Sequence, residues 1–170
     1  MASTVLMSIE GVLASEVSTS ISTASPIRSG IALYHALKTG FRIALSSSNE
    51  DRDLVQHWLT VHSLSDHPVL LTRTPRDSDC SNAEVRERHL YALRGLSEDV
   101  GLLVTPSPAV AARSLFHGIP TMLFSHPTYM RPEFRPDAAP AVREWSQIEA
   151  EVDRQVVLIR TDPRKDASTL

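Results

Sequence analysis

Short uninterrupted apolar runs alternate along most of the chain with longer stretches in which apolar residues recur every three or four positions. The runs are Val5-Leu6-Met7, then Ile43-Ala44-Leu45 in "FRIALSSSN", Val69-Leu70-Leu71 in "HPVLLTR", "VGLLVTPSP" and "IPTMLFSHP". Runs of this length bounded by turn residues mark strands buried on both faces, as in a parallel sheet. Between them, "SGIALYHALKTGF" sets Ile31, Leu33, Ala36 and Leu37 at helical spacing and stops at Gly40, the expected left-handed cap. Asn49 is the expected start of a second helix, with Leu54, Val55, Trp58 and Leu59 on its inner face. Ser81 or Asn82 would cap a third, which turns Val85, His89 or Leu90, and Leu93 inward, and "AVAARSLFHG" makes a fourth. Strand and helix in regular alternation predict an α/β, three-layer Rossmann-like fold, a doubly wound parallel sheet of about five strands with helices on both faces.

Two segments break the alternation. "ASEVSTSISTASPIRSG" is small and polar and reads as a loop or flap, and "TYMRPEFRPDAAPAVREW" is proline-rich and reads as an ordered surface loop. "SQIEAEVDRQVVLIR" can close the domain as a helix, Ser146 capping it with Glu149 three positions on. One domain over residues 1–160, followed by a flexible tail at 161–170, is the expected organisation.

Composition narrows the class. A chain of 170 residues is most simply one domain, and 42% hydrophobic against 22% charged residues suits a folded globule. Aromatics at 5% make the expected core aliphatic. A net charge of −3 supplies no overall basic field, so no nucleic acid is expected as a partner. Cys80 is the single cysteine; with neither a disulfide partner nor a zinc set it suits a reducing compartment. No apolar stretch approaches the ~20 residues that span a bilayer, so no membrane association and a cytoplasmic location are expected. His35, His57, His62, His67, His89 and His117 lack metal-ligand spacing and read as helix-surface or turn residues, and Trp58 and Trp145 as packing anchors.

In an open parallel sheet, ligands bind beyond the carboxyl ends of the strands. That places Ser8 to Glu10, Ser46 to Asn49 and Thr105 to Ser107 in view. Each alone is ordinary turn chemistry. Together, "SIEGVLA", "RIALSSSN" and "LLVTPSPAVAARSLFHGIPTMLF" resemble motifs of the haloacid dehalogenase superfamily. "GIPTMLFSHPTYMRPEFRPD" resembles small superfamily proteins of actinobacterial phages, which would put the chain in a host cytoplasm or a virion. The resemblance implies a fold with minimal or no cap domain. It puts Ser8 at the nucleophile position, Glu10 at the acid/base position, and Ser46, with Ser47 and Asn49 beside it, at the phosphate-binding position. Thr105 and Pro106 stand where metal-binding acids would. Arg86 or Arg88 would have to supply the cation of the third motif.

The departures decide the expected chemistry. Phosphoryl transfer in this superfamily needs a carboxylate nucleophile and Mg²⁺ held by several acids. Ser8 and Thr105 are neutral, and Glu10 is the surviving acid, so Glu10 and Thr105 form a degenerate metal site and no cofactor is expected. Loss of a covalent nucleophile costs on the order of a millionfold in rate. The expectation is a non-catalytic binding, assembly or structural module with a protein partner or a second copy of itself. The alternative is a divergent Mg²⁺-dependent phosphohydrolase that uses Glu10 with a substitute acid from Asp51, Asp53, Glu98 or Asp99. Finally, His126, Tyr129, Arg131, Glu133, Phe134 and Arg135 follow the fifth run. Arg131 and Arg135 could bind an anion there, or the loop could present a stiff surface to a partner.

Overall fold

The structure is a computed structural model, and it describes residues 3–16, 20–95, 99–124 and 145–161. The chain divides into two compact units, Met1–Ser125 and His126–Leu170. In the first, five strands, β1 (Thr4–Ser8), β2 (Arg42–Ser46), β3 (Val69–Leu71), β4 (Val100–Thr105) and β5 (Thr121–Leu123), alternate with four helices. These are α1 (Arg28–Leu37), α2 (Arg52–Val61), α3 (Asn82–Gly95) and α4 (Pro108–Phe116).

All pairings are parallel, in the order β3-β2-β1-β4-β5. The chain steps outward from β1 to β3, then returns to the other side of β1 with β4. Strand order therefore reverses at β1, and the crevice beyond its carboxyl end is where such sheets bind ligands.

Side-chain alternation along β1 builds both halves of the core. Val5 and Met7 face one side with Ile43 and Leu45 of β2, under Tyr34 of α1 and Val55, Trp58 and Leu59 of α2. Leu6 and Ala44 face the other, under Leu90 and Leu93 of α3 and Val110 of α4. Each large aliphatic side chain buried this way contributes roughly 1.5–3 kcal/mol, and the full burial of Val5, Leu6 and Met7 makes β1 the centre of the fold.

Element ends follow local hydrogen bonding more than residue preference. α1 closes on Lys38 in right-handed conformation, and among the described glycines only Gly11 and Gly118 have positive φ. Gly40 is thus not the left-handed cap its position suggests: the chain tightens through Gly40 N and Phe41 N donating to Leu37 O and enters β2 at once. Gly118, with φ 74°, does end the turn after α4. α2 is capped by Asp51, whose carboxylate accepts from Asp53 N and Leu54 N, while Asn49 Oδ1 accepts from Asp51 N one step earlier. Ser81 and Glu84 bond reciprocally at the start of α3. The flap carries a 3₁₀ turn, Ile21–Thr23. It is pinned by buried Ile21, Ala24 and Ile27 and by Trp58 Nε1 donating to Ala24 O at 2.9 Å.

In the second unit, α5 runs Trp145–Thr161. It begins one residue before Ser146, so Ser146 lies inside the first turn rather than ahead of it. Glu149 accepts from Trp145 Nε1 at 2.7 Å. The proline-rich loop lies outside the described residues.

Candidate functional site

Beyond Ser8 the chain folds back within one turn. Ile9 O accepts from Val12, Leu13 and Ala14 N, and Gly11 N donates to Ala14 O. Gly11 has φ +83°, and a Cβ there would lie 2.7 Å from the Pro106 ring, so the turn accepts glycine alone on two counts. This tight turn aims Glu10 across the crest toward β2. Glu10 Oε1 accepts from Ser47 Oγ at 2.5 Å and Oε2 from Ser48 N at 3.0 Å, while Ser47 Oγ accepts from Asn49 N at 3.1 Å. Charge-assisted bonds of this kind are about twice as strong as neutral ones. Glu10 therefore brackets the first and second strand ends together.

The hydroxyls named from sequence separate. Ser8 and Ser46 are register partners and are buried, at 1% and 0% exposure. Ser46 Oγ is 2.8 Å from His89 Nδ1, and His89 Nε2 is 3.2 Å from Thr72 O. A carbonyl only accepts, so Nε2 carries the proton, Nδ1 accepts, and the Ser46 hydroxyl donates inward. Burial pushes the His89 imidazole below its ordinary value, with the Thr72 bond opposing, which keeps the ring neutral. Ser47, not Ser46, reaches Glu10. Thr105 is fully buried at the end of β4, where its Oγ1 accepts from Ser107 N at 3.3 Å.

The two candidate cations also part. Arg86, on the inner face of α3 and buried, donates from Nη2 to Glu10 O at 3.2 Å and pairs through the same nitrogen with Glu16. Arg88 turns away, its Nη1 2.6 Å from Asp77 Oδ1. Bonds from the Thr74 hydroxyl and N–H, then from Arg88, hold the Asp77 carboxyl down at about 2. Of the substitute acids, Asp51 and Asp53 are exposed at the start of α2, and Asp99 sits at the opposite, amino end of β4, its carbonyl accepting from Thr4 N. Glu98, Arg131 and Arg135, with His126, Tyr129, Glu133 and Phe134, lie outside the described residues.

Three site residues escape a reading of the sequence. Arg73 donates from Nε to Ser48 O, from Nη1 to Asp77 O and Cys80 O, each at 3.0 Å, and from Nη2 to Asn82 Oδ1 at 2.8 Å, tying the loops after β2 and β3 together. Its position just past the third apolar run was the available signal. Glu16 and Asn82 had none, because a loop acid and a helix-start amide carry no periodicity. Glu16 and Asn82, with Glu10, Ser48 and Asn49, line a cavity of about 200 Å³, walled on its apolar side by Ile21 and Ala24.

These residues do not fit Mg²⁺. Both oxygens of Glu10 are engaged by donors, the Arg86 guanidinium lies against its carbonyl, and Ser8 and Thr105 bring no charge. Among the described residues no group of three or more His, Cys, Asp or Glu converges. Glu16 is the one described acid that shares a partner with Glu10, and that partner is a cation.

No protein-family model and no curated protein matches the sequence. Among solved structures, the chain is similar to a chain of a Pnkp1/Rnl/Hen1 complex, with TM-score 0.64 and 14% identity over 74% of this chain and 47% of that one. A chain of the Pnkp1/Rnl/Hen1 RNA repair complex gives TM-score 0.63 and 14% identity over 74% and 43%. A hydrolase from Streptococcus pneumoniae TIGR4 gives TM-score 0.49 and 13% identity over 90% and 100%. The chain spans less than half the length of the first two. At such identity the likeness shows the doubly wound α/β fold alone. Among the described residues, no helix is long and apolar enough to cross a membrane.

Proposed function

We propose that this chain is a binding module on a haloacid-dehalogenase-like fold, with the phosphoryl-transfer chemistry gone and the crest retained as a recognition surface. The observation that carries the reading is the state of Glu10. Held at 2.5 Å by Ser47 and at 3.0 Å by Ser48 N, it serves as a bracket between strand ends rather than as an acid/base poised over a substrate. Ser8 beside it is 1% exposed and neutral, and the His89 imidazole is already bonded to Ser46. The described residues supply no nucleophile, base or metal set, and without them the rate expected for phosphate ester hydrolysis falls by at least about a millionfold. A protein partner or a second copy belongs to this reading, as does the phage setting that the sequence resemblance implies.

The test is hydrolysis of p-nitrophenyl phosphate and acetyl phosphate in excess Mg²⁺. No rate above the uncatalysed control is expected, and none that depends on Ser8. Hydrolysis that vanishes in Ser8→Ala would overturn the reading. A gain-of-function control checks the site map: Met7 and Val104 are register partners, which sets Ser8 and Thr105 at adjacent strand ends. Ser8→Asp with Thr105→Asp should therefore create a Mg²⁺ site, seen as a rise in melting temperature with Mg²⁺ that the unsubstituted protein lacks.

A further inference from the structure

We propose that the crest cavity is a site for a small, uncharged, polyhydroxylated ligand of single-ring size, rather than for a phosphate or phosphate ester. The inference rests on the binding-module reading and adds the chemistry of what is bound.

Charge argues first. Two carboxylates, Glu10 and Glu16, line the cavity, and none of its described lining residues is a Lys, Arg or His. The nearby guanidiniums are bonded to protein groups. The side chain of Arg86 is 6% exposed, its Nη2 bonds Glu10 O and Glu16, and its Nε is buried without a hydrogen-bond partner. Arg73 spends its donors on three carbonyls and Asn82. Arg86 pairs with one of the two carboxylates, Glu16, and a phosphate entering the cavity would meet the carboxylates directly and find no cation among the described lining residues.

Hydrogen bonding then selects the functional group. Asn49 Oδ1 accepts from Asp51 N, and Asn82 Oδ1 accepts from Arg73 Nη2. Both carboxamides are thereby oriented, and each NH₂ is left to donate to a ligand. Each oxygen of Glu10 takes one bond and keeps a lone pair, and Glu16 pairs with Arg86 through Oε1, leaving Oε2 to accept. Fixed donors beside fixed acceptors suit a hydroxyl, which donates to a carboxylate and accepts from an amide at once. An ammonium would answer the carboxylates and leave the amides unmet. Ile21 and Ala24 give one apolar wall, a match for the C–H face of a ring. At about 200 Å³ the cavity is smaller than the roughly 300–1,000 Å³ of drug-sized sites, which limits the ligand to about one ring.

The experiment titrates the full chain with D-glucose, D-ribose and myo-inositol, and separately with inorganic phosphate, glucose 6-phosphate and ethylammonium, followed by amide and carboxamide NMR shifts. Saturable shifts of the Asn49 and Asn82 side-chain NH₂ groups with at least one of the uncharged polyols are expected, at the millimolar affinity a ligand this small reaches. Asn82→Asp removes the NH₂ while keeping an acceptor for Arg73, and should bind that polyol about tenfold more weakly at a melting temperature no lower than the parent's. Glu16→Gln, a second variant at the exposed wall, should also weaken it. Absence of any polyol shift, or tighter binding of ethylammonium, would overturn the ligand class and leave the module reading standing. Phosphate binding without hydrolysis would also overturn the class alone; phosphate binding with Ser8-dependent hydrolysis would overturn both.

Discussion

Gly30→Ala is expected to destabilise the protein, although helix propensity alone forecasts a gain of about 1 kcal/mol for this exchange inside a helix. Gly30 is buried in the first turn of α1, which packs on the turn that carries Glu10. A Cβ at this position would lie 1.7 Å from Val12 O and 2.7 Å from Val12 C, against the 3.4 Å at which ordinary contact begins. The obstacle is backbone, so no rotamer change relieves it, and helix and turn must part by about 1.7 Å. The Ile27 N to Leu13 O bond of 2.7 Å lies in the same junction, and Val12 and Leu13 are fully buried against it. Overpacking at about 1–3 kcal/mol, plus roughly 1 kcal/mol for the hydrogen bond, exceeds the propensity gain and leaves a net loss of about 1–3 kcal/mol. For a domain of this size that is a fall of roughly 2–12 °C in melting temperature. Thermal and urea unfolding of Gly30→Ala would be read beside Gly95→Ala, whose added methyl meets nothing within 4 Å and should be neutral or mildly stabilising. Because the displaced turn holds Glu10, Ser48 N–H should also exchange faster in the variant. A Gly30→Ala protein as stable as the parent would refute the packing of α1 on the Glu10 turn.

Three further outcomes follow from the same geometry. Ser47→Ala removes a hydroxyl bonded to a carboxylate and leaves Glu10 Oε1 short of a donor, so chemical denaturation should show a loss of about 1.5–3 kcal/mol. Trp58→Phe keeps most of the buried ring but strands Ala24 O, which should cost about 1–3 kcal/mol and raise proteolysis in the flap. For His89, the unfolded imidazole takes up a proton near pH 6.5 and the buried one only at lower pH. The unfolded state therefore binds more protons in that window, and stability present above pH 6.5 declines as pH falls through it. Unfolding measured from pH 7.5 downward should show that decline in the parent and a flatter profile in His89→Gln, whose amide can both accept from Ser46 and donate to Thr72.

The strands were legible because a strand covered on both faces must be apolar at every position, a requirement that Val5-Leu6-Met7 meets without any partner being known. Helix faces were legible for the same kind of reason. Helix ends were less so: Asn49, Gly40 and Ser146 each have the right chemistry for a cap, yet the bonds went to Asp51, to Leu37 O and into the helix body. Several residues near one boundary can cap it, and the tertiary path of the chain chooses among them.

By itself the sequence determined the doubly wound class, the position of the crest, and the neutral side chains of Ser8 and Thr105 there, since these depend on local periodicity and residue identity. The tertiary structure alone decided what the crest is made of. Ser46 and His89 are 43 residues apart, Arg86 and Glu16 70, and Arg73 and Ser48 25, so no local pattern announces any of these pairs. They exist because the return of the chain from β3 to β4 lays α3 over the ends of β1 and β2. There a buried imidazole turns one serine inward, and a buried guanidinium draws a flap carboxylate to the Glu10 turn.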